Sequence, residues 1–191
     1  MFKLTRIKKE PNVRRVGNAN FTGKIFVVGL SGTGTRSLHR AFQMLGIQSR
    51  HYPRTPEDFD DYEALSDIPV TCRYKLLDQL YPGSKFIMTV RDVDTWLMNR
   101  KKKPDDREEP SFWIKLNRMS TYDCLYYDEA KLRRAHAKWN DEIAAYFRGR
   151  NDDFMTMDIL NGDGWEKLCP FIHANLYDQV EFPKVKTVKK K

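Results

Sequence analysis

Nine consecutive residues, Gly29-Leu30-Ser31-Gly32-Thr33-Gly34-Thr35-Arg36-Ser37, combine three glycines, four hydroxyls and one arginine. Glycines let a backbone turn so that its N–H groups converge, and the positive end of a following helix adds to their potential. Hydroxyls at Ser31, Thr33, Thr35 and Ser37 add further donors, so the segment has the composition of a phosphate or sulfate cradle. A glycine-rich turn without a ligand is the plain alternative. Gly29 and Gly34 have the spacing of the GxxxxGK loop of nucleoside triphosphatases, but Thr35 stands at the lysine position. That lysine reaches the β- and γ-phosphates, so its loss disfavours an ordinary ATPase or GTPase.

Three more residues could do chemistry. Arg91 follows an apolar run and suits either an anion or a structural ion pair. His51 and Asp67 each end a predicted element, where a general base could face a cleft. A capped loop histidine and a turn-terminating aspartate are the competing assignments. His39, His136 and His173 read as structural or surface groups.

The elements that must carry these residues follow from hydrophobic patterning. Residues 24–29 (KIFVVG) form a short β-branched run, as expected of a buried parallel strand. After the glycine loop, Leu38, Ala41, Phe42 and Leu45 recur at helical spacing, and Gly46 supplies a C-terminal cap. Residues 47–52 predict a second strand, and the stretch from Tyr62 predicts a helix ending near Leu80. A turn at Pro82-Gly83 leads into a buried strand over 85–90. Residues 100–110 are a charge-dense loop without periodicity. Asp128 caps a long helix that places Leu132, Trp139, Ile143 and Phe147 on one stripe. A strand over 154–159 and a glycine loop opening a short helix complete the chain. Strands alternating with helices predict a parallel sheet covered on both faces.

The run VGLSGTGTRSLHRAFQMLGI resembles the 5′-phosphosulfate loop of sulfotransferases that use 3′-phosphoadenosine-5′-phosphosulfate (PAPS). Compact bacterial-type members of that family typically read GLPRTGTTSL. HYP (51–53), SDIPV (66–70), YPGSKFIMTVRD (81–92), a helix ending in YF and GDGWEKLCPF (162–171) occur in matching order. The resemblance covers about residues 24–183. It implies a three-layer P-loop-like α/β fold with a central parallel sheet flanked by helices. It implies PAPS as donor, adenosine 3′,5′-bisphosphate as product, and no metal. Donor contacts would come from Gly29, Ser31, Gly32, Thr33, Gly34, Thr35, Arg36 and Ser37. In the family, an arginine at the end of the next buried strand and a serine eight residues on bind the 3′-phosphate. Those positions are Arg91 and Asn99 here, the latter a departure that keeps a donor. GDGW resembles the segment closing over the nucleotide, which adds Gly162, Gly164 and Trp165, with core packing the stronger alternative for Trp165.

One departure bears on catalysis. The family usually has a lysine or arginine where this chain has Gly32. Loss of one such contact to a leaving oxygen typically costs about 10²–10³ in rate. Arg36 resembles the arginine in the GTR of heparan-type relatives and is the nearest compensating cation. Catalytic roles therefore fall to His51, Asp67 and Arg36. The expected reaction is sulfuryl transfer to a hydroxyl or amine of a small molecule or glycan. The open alternatives are a PAPS-binding protein without activity, a degenerate metabolite kinase and a polyanion-binding module.

Length and composition bound these readings. The chain has 191 residues, one domain's worth, and no apolar run reaches the roughly 18–20 residues of a membrane span. Residues 1–15 lack the apolar core of a secretory signal, and Cys72, Cys124 and Cys169 lack metal-ligand spacing. A cytoplasmic location is the expectation. The net charge of +8 is concentrated at the ends: +5 in residues 1–20 and +5 in residues 184–191, leaving −2 for the rest. The chain thus reads as a basic arm over 1–20, a domain over 21–183 and a lysine-rich tail over 184–191. Solvated arms are the first reading and contact with a polyanion the second, with no specific nucleic-acid partner.

Overall fold

The computed structural model describes residues 13–102 and 109–185. In chain order the elements are β1 (Gly17–Ala19), β2 (Ile25–Val27), α1 (Thr35–Met44), β3 (Ser49–His51), α2 (Glu57–Asp61), β4 (Ala64–Ser66), α3 (Ile68–Thr71) and α4 (Tyr74–Leu80). They continue with β5 (Lys85–Thr89), α5 (Val93–Lys101), α6 (Phe112–Tyr122), α7 (Glu129–Tyr146), β6 (Phe154–Met157), α8 (Trp165–Phe171) and β7 (Ala174–Leu176).

Five strands form one parallel sheet in the order β3-β4-β2-β5-β6. Alternation along β2 divides the core. Ile25 and Val27 face a cluster with Leu38, Ala41 and Phe42 of α1 and Leu168 of α8. Phe26 and Val28 face the opposite cluster with Trp96, Leu132, Trp139 and Phe147. Helices therefore cover both faces, giving the three-layer P-loop-like arrangement. The stripe expected on α7 is buried as anticipated, with Phe147 stacked on Phe154 at 4.7 Å between ring centroids.

The sheet order positions the site. β2 is flanked by β4 and β5, so successive crossovers leave it in opposite directions. Such a switch opens a crevice outside the C-terminal ends of the strands. The 29–37 loop, His51, Asp67 and Arg91 all lie at that edge, because each follows or ends a parallel strand.

Two expectations differ from the structure. β4 lies inside the segment read as one helix from Tyr62, because Ala64–Ser66 is too short to carry a period-2 signal. Packed structure also begins inside the stretch read as an arm: β1 pairs antiparallel with β7, and Val16 is 1% exposed. At the other end Val185 is described and contacts the domain, whereas residues 186–191 of the tail and 1–12 of the arm lie outside the described residues. Among the described residues, no helix is long and apolar enough to cross a membrane.

Candidate functional site

The 29–37 loop leaves β2 against the end of β5. A Cβ at Gly29 would collide with Thr89 Oγ1, so the close approach requires glycine. Gly32 and Gly34 have φ of 95° and 121°, the region that favours glycine. Within this turn Thr33 N–H bonds Leu30 O at 3.2 Å and Ser37 N–H bonds Gly34 O at 2.9 Å. The N–H groups of Gly32, Gly34, Thr35 and Arg36 have no partner among the described residues. They gather at the start of a ten-residue helix with no acid in its first turn. Unpaired donors plus a helix N-terminus are what an anion cradle needs.

The four hydroxyls divide by function. Thr33 Oγ1 donates to Leu30 O at 2.7 Å and lies 2.7 Å from Thr89 Oγ1, so it ties the loop to β5 and does not line the cavity. Ser31 Oγ donates to Asp67 Oδ1. Thr35 and Ser37 line the cavity, and Ser37 Oγ accepts the Val185 N–H at 3.1 Å. Ser31 is fixed from three sides, since its N–H reaches Tyr122 Oη at 3.1 Å and its carbonyl accepts from Trp96 Nε1 at 3.0 Å.

Arg91 comes from the end of β5, where its Nη1 donates to Gly32 O at 3.2 Å. Its Nε is buried with no partner among the described residues, and burial lowers its pKa against the pull of Asp158 and Asp92. A guanidinium that covers the loop yet keeps an unsatisfied nitrogen is suited to an anionic ligand. Asn99, two turns into α5, lines the same cavity.

Asp67 and His51 form the opposite wall. Asp67 has φ 85° and ψ −178°, a conformation almost confined to glycine and costing about 1–3 kcal/mol. Its carboxylate accepts from Ile68 N–H at 2.7 Å and faces His51 Nε2 at 3.1 Å. Burial alone would push this carboxyl up. Hydrogen bonds from His51 and Ser31, the His51 charge and the Ile68 N–H outweigh burial and hold it down at about 2. An ionised carboxylate only accepts, so His51 Nε2 carries a proton toward it, and Nδ1 on the other side of the ring lies 3.0 Å from Ser66 Oγ. Arg36 Nε, 3.4 Å from the same Nε2, therefore touches the ring without a true hydrogen bond to it. Arg36 is exposed on the cavity wall, between the cradle and His51.

The cavity encloses about 900 Å³. Arg36, Arg54, Arg91, Arg100 and Arg118 line it, and Asp67 is the one acid among the described lining residues. Tyr52 lines it as well, at φ 58°, an outlier for a bulky side chain. Burial pushes the Tyr52 phenol up to about 12, so it remains neutral.

Gly162, Gly164 and Trp165 are not brought to this cavity. Gly162 sits in an exposed turn at φ 118°, Gly164 precedes α8, and Trp165 is 7% exposed in the core cluster of α1 and α8. Sequence reasoning missed Tyr52, Arg54, Trp96, Tyr122 and Val185. Trp96, Tyr122 and Val185 depend on α5, α6 and the C-terminal segment folding over the loop, a nonlocal arrangement with no short motif, whereas Tyr52 and Arg54 sit in the turn straight after β3. The one available signal was Val185, an isolated apolar residue among lysines. Among the described residues no group of three His, Cys, Asp or Glu could hold a metal.

A family model described as a sulfotransferase domain matches residues 54–190. The match begins after the phosphate loop and runs into the lysine-rich tail. Among curated proteins, the chain is 24% identical over 211 aligned residues to Ava biosynthesis cluster protein M of Aspergillus versicolor, covering 86% of this chain and 81% of that protein.

Proposed function

The chain belongs to the sulfotransferase family, and from that premise we propose that it moves a sulfuryl group from PAPS to a hydroxyl or amine of a small molecule or glycan. The observation that carries this reading is the pairing, in one cavity, of the unpartnered N–H cradle under Arg91 with the wall formed by Asp67 and His51. The cradle, Thr35 and Arg91 would bind the phosphates, with Asn99 adding a donor. PAPS supplies a sulfuryl group on a phosphate leaving group.

The chain's residues would align the reactants and stabilise charge. As the acceptor oxygen bonds sulfur, the S–O bond to the phosphate breaks and its electron pair stays on the phosphate oxygen. Arg91 and Arg36 would balance that charge. The acceptor's proton would pass to His51. Asp67 would hold the resulting imidazolium, as a carboxylate does for a charged histidine. Cytoplasmic location and an absence of metal belong to the same proposal.

A second reading, donor binding without transfer, is favoured by Gly32. Its φ of 95° explains why no lysine stands there, since a side chain would strain the turn. The Arg91 guanidinium at Gly32 O brings a cation to the same place and supports the active reading. The test is transfer of labelled sulfate from PAPS to a panel of hydroxyl and amine acceptors. Arg36→Ala should lower kcat by about 10²-fold with little change in donor affinity. No transfer to any acceptor by a wild-type chain that binds adenosine 3′,5′-bisphosphate would favour the binding-only reading.

A further inference from the structure

Two cavity-lining residues expose large apolar side chains, Leu160 at 47% and Val185 at 43%. Solvated apolar surface inside a cationic cavity calls for a ligand with an apolar part. Leu160 follows β6, whereas Val185 reaches the cavity through a segment held at both ends. At one end the Phe182 ring meets Trp165 edge-on, with centroids 4.8 Å apart. The contact is close because Gly164 has no side chain: a Cβ there would lie 3.3 Å from Phe182 Cβ. At the other end the Val185 N–H donates to Ser37 Oγ at 3.1 Å, one turn into α1 beside the cradle.

We propose that residues 182–185 are a strap belonging to the donor site, and that Val185 and Leu160 supply the apolar surface on which the purine ring of the donor packs. The inference rests on the donor reading above. A purine is flat and apolar on its faces, and the area it buries against two aliphatic side chains favours binding. Ser37 spends a lone pair on Val185 and keeps its O–H to donate toward the anion. The strap also gives Gly164 and Trp165 a role away from the ligand: they anchor Phe182, and so act on the donor through it.

The test is calorimetry on the full chain with two probes, adenosine 3′,5′-bisphosphate and inorganic pyrophosphate, which engages the cradle alone. Val185→Ser and Leu160→Ser should each weaken bisphosphate binding about three- to tenfold and leave pyrophosphate binding within about twofold. Phe182→Ala should act in the same direction as a positioning change. Val185→Ser keeps the Phe182–Trp165 anchor, so the proposal stays testable if Phe182→Ala fails to fold. Bisphosphate affinity unchanged or raised in the two serine variants would overturn the strap, as would equal losses for both probes. A wild-type chain that binds no bisphosphate would overturn the donor reading and the strap with it. Wild-type binding with unaffected variants removes the strap alone.

Discussion

Asp67 carries backbone strain, a buried charge and three hydrogen-bonding partners at once. A carboxyl held at about 2, against 3.8 ordinarily, binds its proton less tightly folded than unfolded. Its stabilisation is fully present above about pH 4 and is lost as pH falls through about 2. The shift corresponds to something on the order of 2 kcal/mol. Asp67→Asn should therefore lower unfolding free energy by about that amount at pH 7, with the gap closing toward pH 2. Urea titrations across this range would check it. A gap that does not vary with pH would mean the carboxylate's charge is not what holds this wall.

Gly32 makes a second residue-scale prediction. Restoring the family's cation by Gly32→Lys places a side chain at φ 95°, at a cost of about 1–2 kcal/mol. The expected outcome is bisphosphate affinity roughly tenfold weaker and no gain in turnover. Higher turnover at unchanged affinity would show that the loop accepts the side chain and that Arg91 does not fill the gap.

Among the elements, what could be read from sequence was what local chemistry dictates. The β2–loop–α1 unit announces itself through an apolar run, glycines and helical spacing within residues 25–44, and α7 through its cap and stripe. β4 was hidden because three residues, ALS, sit in a stretch with helix-forming neighbours, and only pairing with β2 and β3 makes them a strand. β1 and β7 were hidden because GNA has no apolar alternation, ANL is too short for its alternation to stand out, and their pairing partners are distant in sequence. The site followed this division. The loop, Arg91 and His51 follow or end elements that could be recognised locally, whereas Asp67 follows the hidden β4 and Tyr122, Trp96 and Val185 arrive from elsewhere. The packing of β1 changes what a truncation should do. Val16 is buried, donates to Met44 O at 2.8 Å and accepts from Tyr177 N–H at 2.7 Å. A chain starting at residue 19 should lose about 2 kcal/mol or more of stability. Coinciding denaturation midpoints with the full chain would contradict this.

On the scale of the whole molecule, the +8 charge belongs mostly to the ends of the chain, and the near-neutral remainder gathers five arginines around one cavity. Concentrating cations in a concave wall raises the local potential and makes anion affinity fall with salt. The central claim is that this field, the N–H cradle and Arg91 form one site for a nucleotide phosphorylated at both 3′ and 5′ positions. The most direct measurement is calorimetry of the full chain with adenosine 3′,5′-bisphosphate and ATP in parallel, repeated on Arg91→Ala. The account predicts one site that prefers the bisphosphate, with a loss of about 1.5–3 kcal/mol in the variant, the scale of a charged hydrogen bond. Equal affinity for the two nucleotides, untouched by Arg91→Ala, would contradict it.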